Sequence, residues 1–174
     1  PDVLLVLFKG IAPSYTDYYQ IMLDGSDGSV RFLDSLGNIH FASANAVDLN
    51  NDGRDEGIFA ITYFEDGYFK SRIQSIDFTT NYIDVLDQTR TGVIIGSTPL
   101  ITDLDSDGIL DLIYSVKKDS INPMGLQGIN VYRHELNSII PNSGIAWGSY
   151  LGTENNGFYS PNLIDCGIGS VISN

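Results

Sequence analysis

The chain of 174 residues has a single cysteine, Cys166, which excludes an internal disulfide and a cysteine-based zinc site and leaves a buried thiol as the simplest reading. Basic residues are scarce as well. Nine Lys and Arg stand against 22 Asp and Glu, for a formal net charge of −13. Nucleic acids and anionic membranes need basic patches, so neither is expected as a partner. Long apolar runs are missing: Val3 to Phe8 is far too short to span a bilayer and has no basic flank. It reads as a strand, not as a signal peptide or a membrane insertion. No Asn-x-Ser/Thr sequon, Gly-x-Ser-x-Gly elbow or phosphate-cradling glycine loop occurs. What remains is a chain with 43% hydrophobic residues, 18 glycines and 18% charged residues, the composition of a turn-rich domain with enough apolar content for a core.

Within this composition two segments repeat one another. Asp48-Leu49-Asn50-Asn51-Asp52-Gly53-Arg54-Asp55-Glu56 and Asp103-Leu104-Asp105-Ser106-Asp107-Gly108-Ile109-Leu110-Asp111 place an acid or amide at positions 1, 3 and 5, glycine at 6 and a carboxylate at 9. Alternate short oxygen-bearing side chains turn towards one point, the glycine permits the sharp bend, and the carbonyl of position 7 points inward. A hard cation that takes six to eight oxygens at about 2.3–2.6 Å suits such a loop, whereas magnesium demands a tighter octahedron. Calcium, two ions in all, is therefore expected: one on Asp48, Asn50, Asp52, the Arg54 carbonyl and Glu56, the other on Asp103, Asp105, Asp107, the Ile109 carbonyl and Asp111. Counting carboxylates, the second loop is expected to bind more tightly. An ordinary Asp/Gly turn would not repeat the whole pattern. Neither loop is an EF-hand or a dockerin loop, because position 12 is Phe59 in one and Tyr114 in the other, and strand-like residues follow.

One step along the chain carries Asp48 to Asp103 and Glu56 to Asp111, and nearly the same step back from Glu56 lands on Asp2, which is followed by another apolar strand. The chain therefore reads as beginning inside a repeat, with units at about 1–46, 47–101 and 102–164. A degenerate fourth starts at 165–174, where Cys166-Gly167-Ile168-Gly169 lacks the oxygen donors that a metal at Asp165 would need. A period of this size in a strand-rich chain is the mark of radial or solenoid repetition. Each unit has room for about four strands. Expected strands include Tyr18 to Leu23, Val30 to Leu33, Tyr68 to Phe78, Tyr82 to Leu86, Gly128 to Leu136 and Ile145 to Leu151, with Val93-Ile94-Ile95 leading into the second loop. Hairpin turns are expected at Asp24 to Gly28 and Glu65-Asp66-Gly67, and a turn at Gly37-Asn38.

The two acidic loops, the apolar residues before them (Ala46-Val47, Leu100-Ile101) and the strands after them resemble the FG-GAP repeat, the integrin α-subunit-like unit of calcium-binding β-propellers. The resemblance covers nearly the whole chain. It implies an all-β fold, a β-propeller segment of about three four-stranded blades, with calcium in a structural role at the blade edges. Propellers close with roughly four to eight blades. The chain is thus expected to be part of a larger ring, completed by other blades or another chain, and to leave Val3 to Phe8 and Ile58 to Ile61 short of cover on one side.

The function expected from this resemblance is a non-catalytic module for extracellular or cell-surface adhesion, binding a protein or glycan ligand. Two alternatives stay open: the propeller part of a carbohydrate-active enzyme such as a polysaccharide lyase, and a structural subunit of an extracellular assembly. Nine basic residues speak against a lyase, which must neutralise uronate carboxylates. No catalytic or cofactor-binding residues are assigned. His134 alternates with Tyr132 and Leu136, His40 adjoins Phe41, and neither has a partner at ligand spacing. Tyr15, Tyr18 and Tyr19 suit recognition, although a strand of mixed burial also explains the last two.

Overall fold

A computed structural model describes residues 3–11, 14–37, 42–94, 96–125, 127–142, 144–152 and 157, without the side chains of 14–16. The described residues form eleven strands and no helix: β1 (Val3–Ile11), β2 (Ser14–Leu23), β3 (Val30–Gly37), β4 (Asn45–Val47), β5 (Glu56–Glu65), β6 (Tyr68–Asp77), β7 (Tyr82–Val85), β8 (Arg90–Thr91), β9 (Leu100–Thr102), β10 (Ile109–Lys117) and β11 (Ile129–Ile139). The expectation of an all-β protein is met. Asp2, His40, Phe41, Asn38, Ile95 and the segment from Tyr159 through Asp165 and Cys166 to the end lie outside the described residues.

The strands make two sheets, neither of them closed. One runs β1-β2-β3-β5-β6-β7 with β4 on β5 and β8 on β6; the other runs β11-β10-β9. All pairings are antiparallel except one, a parallel contact between Gly37 and Thr62 that joins β3 to β5. Local chemistry explains the hairpins. Asp66 and Gly67 both take positive φ, 54° and 84°, as a two-residue turn matched to the right-handed strand twist requires. At the β2–β3 turn Asp24 accepts from the Ser26 N–H at 2.8 Å and pairs with Arg31, and Asp27 accepts from the Ser29 N–H at 2.8 Å. Those acids hold a turn.

The period found in the sequence reappears in the backbone. The short β4 precedes the first acidic loop and pairs with β5 after it, and one period later β9 and β10 repeat the arrangement around the second loop. Glycines repeat too. At Gly37 (φ 88°) and Gly92 (φ 125°) a Cβ would stand 2.2 Å from the carbonyl oxygen of Thr62 and of Lys117 respectively, so both positions admit only glycine. Ile145 to Leu151 departs from expectation. It forms no strand, and Trp147 makes only an isolated bridge to Ala46, while the Ile101 N–H donates to the Gly148 carbonyl at 2.7 Å. Three short segments thus converge here: β4, β9 and the turn around Trp147.

Packing places β5 at the centre. Its Phe59 and Ile61 side joins Tyr18, Leu36 and Ile76, while its Ile58 and Ala60 side joins Ile73, Leu110, Leu112, Tyr114 and Val116. The segment Ile58 to Ile61 is therefore buried on both faces, against expectation, because strands from both neighbouring units cover it. Val3 to Phe8 is short of cover, as expected. Its lack of cover extends to both faces: Val3, Leu5 and Leu7 are 46%, 39% and 46% exposed, and Val6 and Phe8 on the other face 37% and 51%, on an edge strand whose only partner among the described residues is β2.

Candidate metal centre

Loop one is closed by its own carboxylates. Asp48, buried at the end of β4, accepts from the N–H of Asp52 (3.1 Å) and of Gly53 (2.9 Å). The Asn50 carbonyl oxygen also accepts from Asp52 N–H at 2.8 Å, and Asp52 accepts from Arg54 N–H at 2.9 Å. Asn51 and Gly53 supply the left-handed bends, with φ of 58° and 88°. From the start of β5, Glu56 reaches back to accept from the Leu49 N–H at 2.6 Å and the Asn50 amide at 2.9 Å. Burial pushes the Glu56 carboxyl above its usual range, and the charges of Asp48 and Asp52 push the same way against the Leu49 N–H. Asp48, Asn50 and Glu56 are linked through the loop's amides and the Asp52 carboxylate accepts from the Arg54 N–H, but among the described residues the carboxylates of this loop do not converge within 4.8 Å of one another as those of loop two do. The Arg54 side chain leaves the loop to donate to Thr79 Oγ1 at 3.0 Å.

Loop two repeats these bonds closely. Asp103 accepts from the N–H of Asp107 (3.1 Å) and Gly108 (3.0 Å), Asp107 from Ile109 N–H (2.8 Å), and Asp111 from Leu104 N–H (2.9 Å). Ser106 and Gly108 bend at φ of 64° and 90°. Carboxylate oxygens of Asp103, Asp105 and Asp111 lie within 4.8 Å of one another. Asp107 stands outside this triad.

One partner in loop two has no counterpart in loop one among the described residues. Arg133, on β11 opposite Ile113, donates from Nε and Nη2 to the two oxygens of Asp111 at 2.7 and 3.0 Å and from Nη2 to Asp105. Its hydrogen bond holds the buried Asp111 carboxyl below its usual range, and the two carboxylates in turn raise the Arg133 guanidinium. Hard oxygen donors in a converging group are the donor set of an oxygen-loving divalent ion, and the guanidinium occupies the group as a stand-in cation. The triad can hold a metal ion.

A second polar cluster escaped the sequence reading. Tyr114 donates to Asp87 at 2.6 Å, Arg90 donates to Asp87 at 2.8 Å and to the Tyr114 hydroxyl at 3.2 Å, and the Arg90 guanidinium lies 4.2 Å from the Tyr132 ring centre. His134 Nδ1 is 3.8 Å from Asp87, so this histidine faces a structural network, not a site of its own. Burial pushes the Tyr114 hydroxyl up to about 12, and its hydrogen bond to Asp87 adds to the rise. Nothing local in the sequence marks this cluster, because Tyr114 comes to Asp87 from 27 residues along the chain and His134 from further still. Of the recognition tyrosines, Tyr18 is 3% exposed and belongs to the core, Tyr19 lies under the Lys9 amine at 5.2 Å, and the Tyr15 side chain is outside the described residues.

No protein-family model, curated protein or solved structure matches this chain.

Proposed function

We propose that the chain is a segment of a calcium-stabilised β-propeller, of the FG-GAP type, that serves extracellular or cell-surface adhesion or protein interaction without catalysing a reaction. The observation that carries the reading is the repetition, bond for bond at their anchoring aspartates, of two acidic loops one period apart. Loop one would hold its ion with Asp48, Asn50, Asp52, the Arg54 carbonyl and Glu56. Loop two would use Asp103, Asp105, Asp107, the Ile109 carbonyl and Asp111. In each case the ion would offset repulsion among the loop's carboxylates, and so tie a short strand to the long strand after it.

The strand pattern supports the propeller reading. β4-β5-β6-β7 is an antiparallel meander of four strands, and residues from the neighbouring units pack on both of its faces. Further blades or another chain would cover the exposed Val3, Leu5 and Leu7. A protein or glycan ligand and an extracellular setting accord with loops of a kind that fill at millimolar calcium.

Calorimetric titration with calcium tests this directly. Two ions should bind, and Asp52→Ala and Asp105→Ala should each remove one. Wild-type heats equal to buffer dilution, or a stoichiometry that neither substitution changes, would refute the assignment.

A further inference from the structure

The two loops share their backbone bonds and differ in charge balance, and the difference comes from one residue outside both. Arg133 reaches loop two from β11 and engages both oxygens of Asp111 as well as Asp105. Bidentate guanidinium contacts to a carboxylate are among the strongest hydrogen-bonded pairs, and their planar fork is not reproduced by lysine. At loop one the corresponding bonds to Glu56 come from a backbone N–H and the neutral Asn50 amide. The loop's own cation does not serve, since Arg54 turns to Thr79.

We infer that Arg133 is the built-in counter-ion of loop two, so that loop two stays closed without a metal while loop one depends on one. The inference rests on the calcium reading of the loops. A divalent ion entering loop two has to draw Asp105 and Asp111 away from the guanidinium, or bind beside it against like charge. Either route weakens binding there. The order of affinity expected from counting carboxylates is thereby reversed, and loop one fills first. Arg133 acts as a positioning residue that tunes the site and is not a ligand of the ion.

The test uses the Asp52→Ala background, in which loop two is the remaining site, with and without Arg133→Gln. Removing the guanidinium should tighten calcium binding by roughly tenfold, the scale of one lost charged hydrogen bond. A second readout is the melting temperature in chelator. Arg133→Gln should lower it, and calcium should restore it, whereas the wild type should lose stability on chelation through loop one alone. Should Arg133→Gln fail to fold even with calcium, Arg133→Lys decides: it keeps the charge, loses the fork, and should also bind calcium more tightly than the arginine it replaces. Unchanged calcium affinity in the variant that folds would overturn the inference. If no variant binds calcium, the metal reading of the loops fails by itself, and the drop in melting temperature of Arg133→Gln in chelator still decides whether the guanidinium holds loop two closed.

Discussion

Loop one and loop two are built on the same backbone, yet they solve the problem of crowded carboxylates differently. In both, an aspartate at the end of a short strand gathers two amides, a left-handed residue precedes the glycine by two positions, and an acid at the head of the long strand reaches back to the second residue of the loop. Loop one then holds three carboxylates with an amide donating among them. Loop two places its triad under a guanidinium. The backbone of such a loop is thus a local property that tolerates either solution, while the counter-charge depends on what an adjacent strand brings. A second contrast runs between the layers. Phe32 packs edge-on against Phe78 at 5.5 Å, beside the buried Phe59. The step that carries Asp48 to Asp103 carries Phe32 and Phe59 to Asp87 and Tyr114, which are hydrogen-bonded to each other.

The repetition is most severely challenged at its glycines. Gly37→Ala and Gly92→Ala each force a Cβ towards a carbonyl oxygen from a left-handed backbone, and each should cost about 3–4 kcal/mol in denaturant unfolding. A variant with native stability would show that the two close approaches are not equivalent. Next come the anchoring aspartates. Asp48→Ala and Asp103→Ala each strip the acceptor from two amides; in chelator a loss of about 2–4 kcal/mol is expected for Asp103→Ala and a smaller one for Asp48→Ala, whose loop depends on the ion. Equal losses would show that loop one also stays closed without a metal. Chelation alone should separate the loops: amide exchange at Asp52 and Gly53 should accelerate more than at Asp107 and Gly108, since among the described residues only loop two has a guanidinium on its carboxylates, at Asp105 and Asp111. Equal acceleration would erase the contrast.

The contrast between layers has a smaller signature. Tyr114→Phe, which makes this position like Phe59, should cost about 1–2 kcal/mol through the lost hydroxyl bonds to Asp87 and Arg90. Because the folded-state hydroxyl titrates at about 12, above the usual tyrosine value near 10, its contribution is complete below about pH 10. It is lost as the pH rises towards 12. The alkaline fall in wild-type stability should therefore be shallower in Tyr114→Phe, and parallel curves would rule out Tyr114 as its source. The smallest effect belongs to Arg54→Ala. Its side chain makes one exposed bond to Thr79 and position 54 contributes a carbonyl to the loop, so stability should change by less than about 0.5 kcal/mol. Calcium affinity measured by calorimetry should stay the same, and a large loss would mean that the side chain takes part.

Features decided within about ten residues were legible in the chain alone: the acidic loops, the Asp66-Gly67 and Asp24 to Gly28 turns, and the strands on either side. They depend on short side chains that bond to their own backbone and on glycine where φ is positive, so they are written locally and repeat when the sequence repeats. Ile145 to Leu151 has strand-like residues too, but the fold uses its Trp147 to bridge β4, and side-chain preference did not prevail over that pairing. The folded arrangement alone sets the two-sided burial of Ile58 to Ile61, the buried Asp87 and Tyr114 pair, the close approach at Gly37 and Gly92, and the guanidinium on loop two. Each of these joins residues from separate strands. Arg133 stands 22 residues from Asp111 and 28 from Asp105, and its place over them follows from the antiparallel register of β10 and β11, a relation that no spacing within the loop encodes.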